Sequence, residues 1–209
     1  WEEKDKLTAA RGNAVDALHL TKLHYTASNG TDLVVGLTPW SKFGHGDRKR
    51  PANFTPFHPN IPSEEICTTP DKFVTSGVVY ASRPLVLGGK KVENFGFRFE
   101  NGKVVEALVA TDENACYLGE AALVEYHSPI SMSGVVYFTT LIDENASCHL
   151  ALGRGLNTSH PEAKERFNDS TIHIDFMIGT PDLKIVGTTE DGEEVIIFQD
   201  GDFAVKAEG

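Results

Sequence analysis

Ser170-Thr171-Ile172-His173-Ile174-Asp175-Phe176-Met177-Ile178-Gly179 is the stretch that decides how this chain folds. On an extended strand, alternate side chains point to opposite faces. Ile172, Ile174, Phe176 and Ile178 then make one apolar face, and Thr171, His173, Asp175 and Met177 make the other. The pattern predicts a strand whose back is anchored in a core and whose front holds an imidazole beside a carboxylate. A lone His-x-Asp is more often a core histidine tied by an acid. The alternating apolar backing turns this one toward a pair of metal ligands.

Outward from that strand, the chain reads mostly as hairpins. Leu23 to Leu37 predicts one, turning at Ser28-Asn29-Gly30. Phe73 to Ala81 predicts a strand. Phe95 to Val109 predicts a hairpin closed by Asn101-Gly102, and Leu183 to Phe198 another closed by Glu190-Asp191-Gly192. Residues 134 to 142 read as an apolar strand, residues 1 to about 22 as a helix, and residues 38 to 63 as a long irregular loop. Asp112-Glu113-Asn114-Ala115 recurs as Asp143-Glu144-Asn145-Ala146. Each Asp is suited to cap a short helix, with Glu120 following the first and His149 the second. The expected fold is α+β: one strand-rich domain over residues 1–209, with antiparallel hairpins, short capped helices and a metal site at strand and helix ends.

The bulk numbers narrow the function. At 209 residues, 40% hydrophobic and 23% charged, the chain has the composition of a globular domain. A formal net charge of -11 argues against nucleic acid and anionic membrane as partners. No apolar run is long enough to predict a transmembrane helix, and the start lacks the order of a signal peptide. Cys67, Cys116 and Cys148 show no paired spacing and read as reduced, mostly buried thiols of a cytoplasmic protein. The glycosylation sequons at Asn29, Asn53, Asn145, Asn157 and Asn168 then read as chance.

Glu64-Glu65, Glu120 and His149 join His173 and Asp175 as candidates. Alone, each has a plainer reading: the two acids as the first turn of a helix capped near Ser63, and His149 as a buried, hydrogen-bonded histidine. Together, two Glu, two His and one Asp make a nitrogen and oxygen donor set suited to two divalent ions. Two such ions, sharing a ligand carboxylate, would acidify water and polarise a carbonyl, and a further carboxylate would move protons. Nucleotide loops, a nucleophile elbow and HExxH are all absent.

Several blocks in order carry a resemblance: Asn60-Ile-Pro-Ser-Glu-Glu-Ile-Cys-Thr-Thr-Pro70, Leu118-Gly-Glu-Ala-Ala-Leu-Val124, Ser128-Pro-Ile-Ser131, Asp143 to Gly153, and Ile172 to Gly179. In these the chain resembles the thermophilic metallo-aminopeptidase family, over the C-terminal half of that family's length; the family's N-terminal domain has no counterpart in these residues. The resemblance implies a dinuclear exopeptidase that releases N-terminal residues from peptides. It implies metal ligands at Glu65, Glu120, His149, His173 and Asp175. Proton transfer would fall to Glu64 or to a ligand carboxylate such as Glu120. It further implies two cobalt, zinc or magnesium ions and a cytoplasmic homodimer. Where the family carries a tyrosine thought to assist catalysis, this chain has Leu156. The alternative is a catalytically silent metal-binding or oligomerisation domain.

Overall fold

The computed structural model describes residues 2–45, 63–106, 116–156 and 161–207. The expected cap at Asp112 and most of the expected 38–63 loop lie outside them. The strands, in chain order, are β1 (Leu20–Thr26), β2 (Asp32–Gly36), β3 (Gly44–His45), β4 (Ile66–Thr68), β5 (Ser76–Tyr80), β6 (Leu85–Leu87), β7 (Lys90–Val92), β8 (Gly96–Glu100), β9 (Lys103–Glu106), β10 (Leu118–Leu123), β11 (His149–Gly153), β12 (His173–Met177), β13 (Lys184–Thr189), β14 (Glu194–Gln199) and β15 (Asp202–Phe203). An eight-stranded sheet runs β15-β14-β13-β1-β2-β5-β8-β9. A five-stranded sheet runs β12-β11-β10-β4-β3, and β6-β7 is a separate hairpin. Helices are α1 (Glu2–Asp16), α2 (Pro129–Met132) and α3 (Thr140–Asp143). The class is α+β.

The core lies between the two larger sheets. Leu23, Tyr25, Leu33 and Val35 come from one, and Ile66, Leu123, Leu150 and Phe176 from the other, all buried in a single cluster. Phe97 of β8 meets Phe176 of β12 edge to face, ring centroids 4.9 Å apart. Each such side chain contributes about 1.5–3 kcal/mol by leaving water.

Two expectations change. The opening helix ends at Asp16, not near residue 22. Asp16 Oδ1 accepts the Phe43 amide at 2.9 Å. His19 then takes φ 48, which α-helix does not allow, and β1 begins at Leu20. Residues 134–142 are not a strand. Phe138 sits at φ 55, and the Asp143 carboxylate accepts the amides of Tyr137 at 2.9 Å and Thr139 at 3.1 Å. Those bonds replace a strand's partner and leave Val135, Tyr137, Phe138 and Leu141 exposed.

One irregularity positions the functional residues. In the β10–β11 pairing, Leu118 faces Leu152, but Glu120 faces Ala151. The residue between them, Gly119, is therefore extra. A bulge of this kind changes the parity of the strand. Leu118 points into the core with Leu152, while Glu120, only two residues on, points to the opposite face. Were the strand regular through Gly119, alternation would place Glu120 on the core face beside Leu118.

Candidate metal centre

The five-stranded sheet has one face in the core; Glu65, Glu120, His149, His173 and Asp175 gather on the other. The pairing shows why. Gly153 faces His173, Ala151 faces Asp175 and Glu120, and His149 faces Ala122. Small side chains at Ala122, Ala151 and Gly153 leave room between the polar ones. β12 thus presents His173 and Asp175 as the alternation requires, with Ile174 and Phe176 packed into the core.

The distances are short. Glu120 spans the centre: its Oε2 lies 3.0 Å from His173 Nε2 and its Oε1 lies 3.9 Å from His149 Nε2. Glu65 Oε2 is 3.2 Å from His149 Nε2, and Asp175 Oδ1 is 3.1 Å from His173 Nε2. The far ring nitrogen of His173 donates to the Arg154 carbonyl at 2.7 Å. Three sets of donor atoms fall within 4.8 Å of one another: Glu65, Glu120 and His149; Glu120, His173 and Asp175; and Glu144, His149 and Asp175. Glu120 belongs to two of them.

Glu144 is the residue that sequence reading missed. It is buried, in the 3-10 turn Glu144–Ala146. In the sequence it reads only as an acid in the first turn of a helix capped by Asp143. Asp143 makes no such cap; its carboxylate holds Tyr137 and Thr139 instead. Glu120 and His149 likewise stand on strands, not behind capped helices. Ser63 caps no helix either: residues 63–65 lead directly into β4.

Glu64 lies apart from the three sets. Its carboxylate pairs with Lys4 of α1, and its amide donates to Asn145 Oδ1 at 2.8 Å. Burial lowers the Lys4 pKa from its ordinary value. Glu64 thereby ties the entrance of β4, and with it Glu65, to α1 and to the 3-10 turn.

The electrostatics are those of a site short of positive charge. Burial opposes a charged ring at His149, but Glu65, Glu120 and Asp175 outweigh it and push its pKa up to about 10. At His173 burial also opposes, and Asp175, Glu120 and the Arg154 carbonyl carry the pKa up to about 11. Asp175 is lowered: burial would raise it, and the two histidines win. Cys67 stays a thiol, because burial, then Glu120 and Glu65, push its pKa well above the usual value. Four carboxylates thus face two imidazoles. Glu65 Oε2 is buried with no hydrogen-bond partner, its approach to His149 missing hydrogen-bond geometry. Divalent cations would both engage that oxygen and balance the charge, so the residues present fit divalent metal.

A two-sheet α+β domain whose outer face gathers carboxylates and imidazoles in this way has the make-up of a metal-binding protein. The chain belongs to the thermophilic metalloprotease (M29) family, whose pattern it matches over residues 1–203. It is 40% identical to aminopeptidase AmpS of Bacillus subtilis over 98% of its own length and 54% of that protein. It is also 40% identical to aminopeptidase 2 of Geobacillus stearothermophilus, over 77% of this chain and 44% of that one. Wild-type AmpT from Thermus thermophilus superposes with a TM-score of 0.87 at 36% identity, covering 98% of this chain and 55% of that one. The chain therefore spans about half the length of the curated relatives it matches.

Proposed function

We propose that this chain carries the metal-holding site of an aminopeptidase that releases N-terminal residues from peptides. The observation that carries the reading is Glu120, one carboxylate facing both imidazoles at 3.0 and 3.9 Å. Glu65 and His149 would hold one ion, His173 and Asp175 the other, with Glu120 shared. Two divalent ions, when bound, supply Lewis-acid polarisation of a peptide carbonyl and acidified water. The donor set of carboxylate and imidazole suits cobalt, zinc or magnesium.

The chain's own residues do the rest. The carboxylates of Glu65, Glu120, Glu144 and Asp175 also favour the protonated amino end of a peptide. Glu144 sits beside His149 and Asp175 and is better placed than Glu64 to take and return the proton, because Glu64 is held by Lys4. Glu64 then serves by fixing Glu65. A homodimer and a cytoplasmic location, as in the family resemblance, belong to the same proposal. Among the described residues no helix is long and apolar enough to cross a membrane.

A second reading, the silent metal-binding or oligomerisation domain, draws on Leu156. It is half exposed, and its amide donates to Thr69 Oγ1 at 3.0 Å. A leucine gives no hydrogen bond to a developing oxyanion. The test is to titrate chelator-treated protein with cobalt and then assay leucyl reporter substrates. Two ions bound with turnover, both lost in Glu120→Gln, is the expected result. Two ions without turnover favours the silent domain, and no uptake sinks both.

A further inference from the structure

We propose that the backbone bend at residues 153–155 is a positioning device for His173, wedged between Gly119 and Asn168. The idea rests on reading His173 as a metal ligand. Its Nδ1 donates to the Arg154 carbonyl at 2.7 Å, which leaves Nε2 at 3.0 Å from Glu120 and 3.1 Å from Asp175. Ring aim therefore depends on where that carbonyl stands. A hydrogen bond at the far nitrogen commonly sets the orientation of a ligating histidine.

The bend is fixed from every side. Gly153 lies at φ +102, and a Cβ there would come within 2.2 Å of the Ile172 carbonyl oxygen. The Gly153 amide donates to the Tyr117 carbonyl at 2.8 Å and the Arg154 amide to that of Ile172 at 2.7 Å. Asn168, fully buried, grips twice: its carbonyl accepts the Gly155 amide at 2.8 Å and its Nδ2 donates to the Gly153 carbonyl at 2.6 Å. On the opposite side stands Gly119. A Cβ on it would lie 2.2 Å from the Arg154 oxygen and 2.5 Å from the Gly153 oxygen. The approach is one that only hydrogen at Cα permits.

Gly119 thus has two tasks. Its bulge turns Glu120 onto the site face, and its bare Cα lets the Arg154 carbonyl come in close enough to steer His173. The two ligands on the Asp175 side of the centre are set by one packing contact. Glu65 and His149 lie outside it, so loss of the Arg154–His173 link alone should fall on the His173 ion, while damage at Gly119 also reaches the shared Glu120.

The variants Gly119→Ala and Asn168→Ala test this, using cobalt(II) alone as the probe. Each would be checked for folding by circular dichroism. The His173 imidazole protons would be followed by 15N-resolved NMR in metal-free protein. The expected result is a slowly exchanging Nδ1 proton in the wild type that is lost in both variants. In Asn168→Ala one of two cobalt-binding steps should weaken about 10- to 100-fold, with an altered visible spectrum, while the other step holds; in Gly119→Ala, which also moves the shared Glu120, both steps should weaken. If Gly119→Ala does not fold, Asn168→Ala decides by the same readings. A folded variant that keeps the Nδ1 proton and both binding steps overturns the proposal, as does a wild type that shows no protected Nδ1 proton. A wild type that takes up no cobalt, yet loses the Nδ1 proton in the variants, sinks the metal reading and leaves the positioning role standing.

Discussion

Loading this centre with metal should expel protons. The rings of His149 and His173 have pKa values of about 10 and about 11 when no ion balances the surrounding acids. At pH 7.5 both rings are therefore held almost wholly charged. A histidine binds metal only as the neutral ring. Uptake of two ions should therefore release about two protons per chain. Competition with those protons weakens both affinities at pH 7.5 relative to the alkaline limit. The assay is calorimetric titration of chelator-treated protein with zinc or cobalt, in two buffers that differ in ionisation enthalpy. The heat difference gives the proton count directly, and the affinity should climb steadily between pH 7 and pH 9. In Glu65→Gln the pull on His149 weakens, its pKa falls, and the pH dependence of that step should flatten. A release of less than about half a proton at pH 7.5 would refute the account, for it would mean that the carboxylates do not hold the rings charged.

Phe176→Ala should cost about 3–5 kcal/mol, the usual loss for a phenylalanine buried this fully. At this chain length that is a fall in Tm of roughly 6–20 °C by thermal unfolding; a change near 1 kcal/mol would show that the sheets do not pack through this ring. Leu156→Tyr should raise turnover of aminoacyl reporters by up to about a hundredfold, with KM little changed; identical kinetics in mutant and parent would show that position 156 does not meet the reacting carbonyl. Stability of the metal-free protein should fall as pH rises. Both histidines have folded-state pKa values above the ordinary 6.5, so their contribution is complete below that pH and is lost on the way to about 10 and 11. Asp175 acts in the opposite sense: its lowered pKa contributes above 3.8 and fails in acid below it. Differential scanning fluorimetry from pH 7 to 10 would show this, and a Tm that climbs over that range would contradict it.

How much of the centre could be read from the sequence depends on which strands alternate. β12 alternates polar and apolar residue types from His173 to Phe176, so His173 and Asp175 were legible as one face from residue types alone. β10 is buried at every position, Leu118 through Leu123. A strand covered on both faces loses the period-two signal, so Glu120 read as a residue after a helix when it lies within a strand. The parity change at Gly119 leaves no mark in composition at all. Glu144 was hidden for another reason. Local rules place an acid after Asp143 in a helix's first turn, and only tertiary structure brings that turn beside Asp175. The exposed segment around Phe138 misled by its apolar content. It looks like a strand because valine, tyrosine and phenylalanine favour strands. It is prevented from being one by the two amides that Asp143 captures.

The two-faced sheet has a consequence for how this chain tolerates change. Along residues 173–176 the letters divide by turns: Ile174 and Phe176 pack in the core cluster, while His173 and Asp175 face the proposed metal centre. Neighbours one position apart therefore answer to different selective pressures. A lineage could rewrite the odd letters and adopt a new reaction on an unaltered scaffold, or drift in the even ones and keep an old reaction on a softer one.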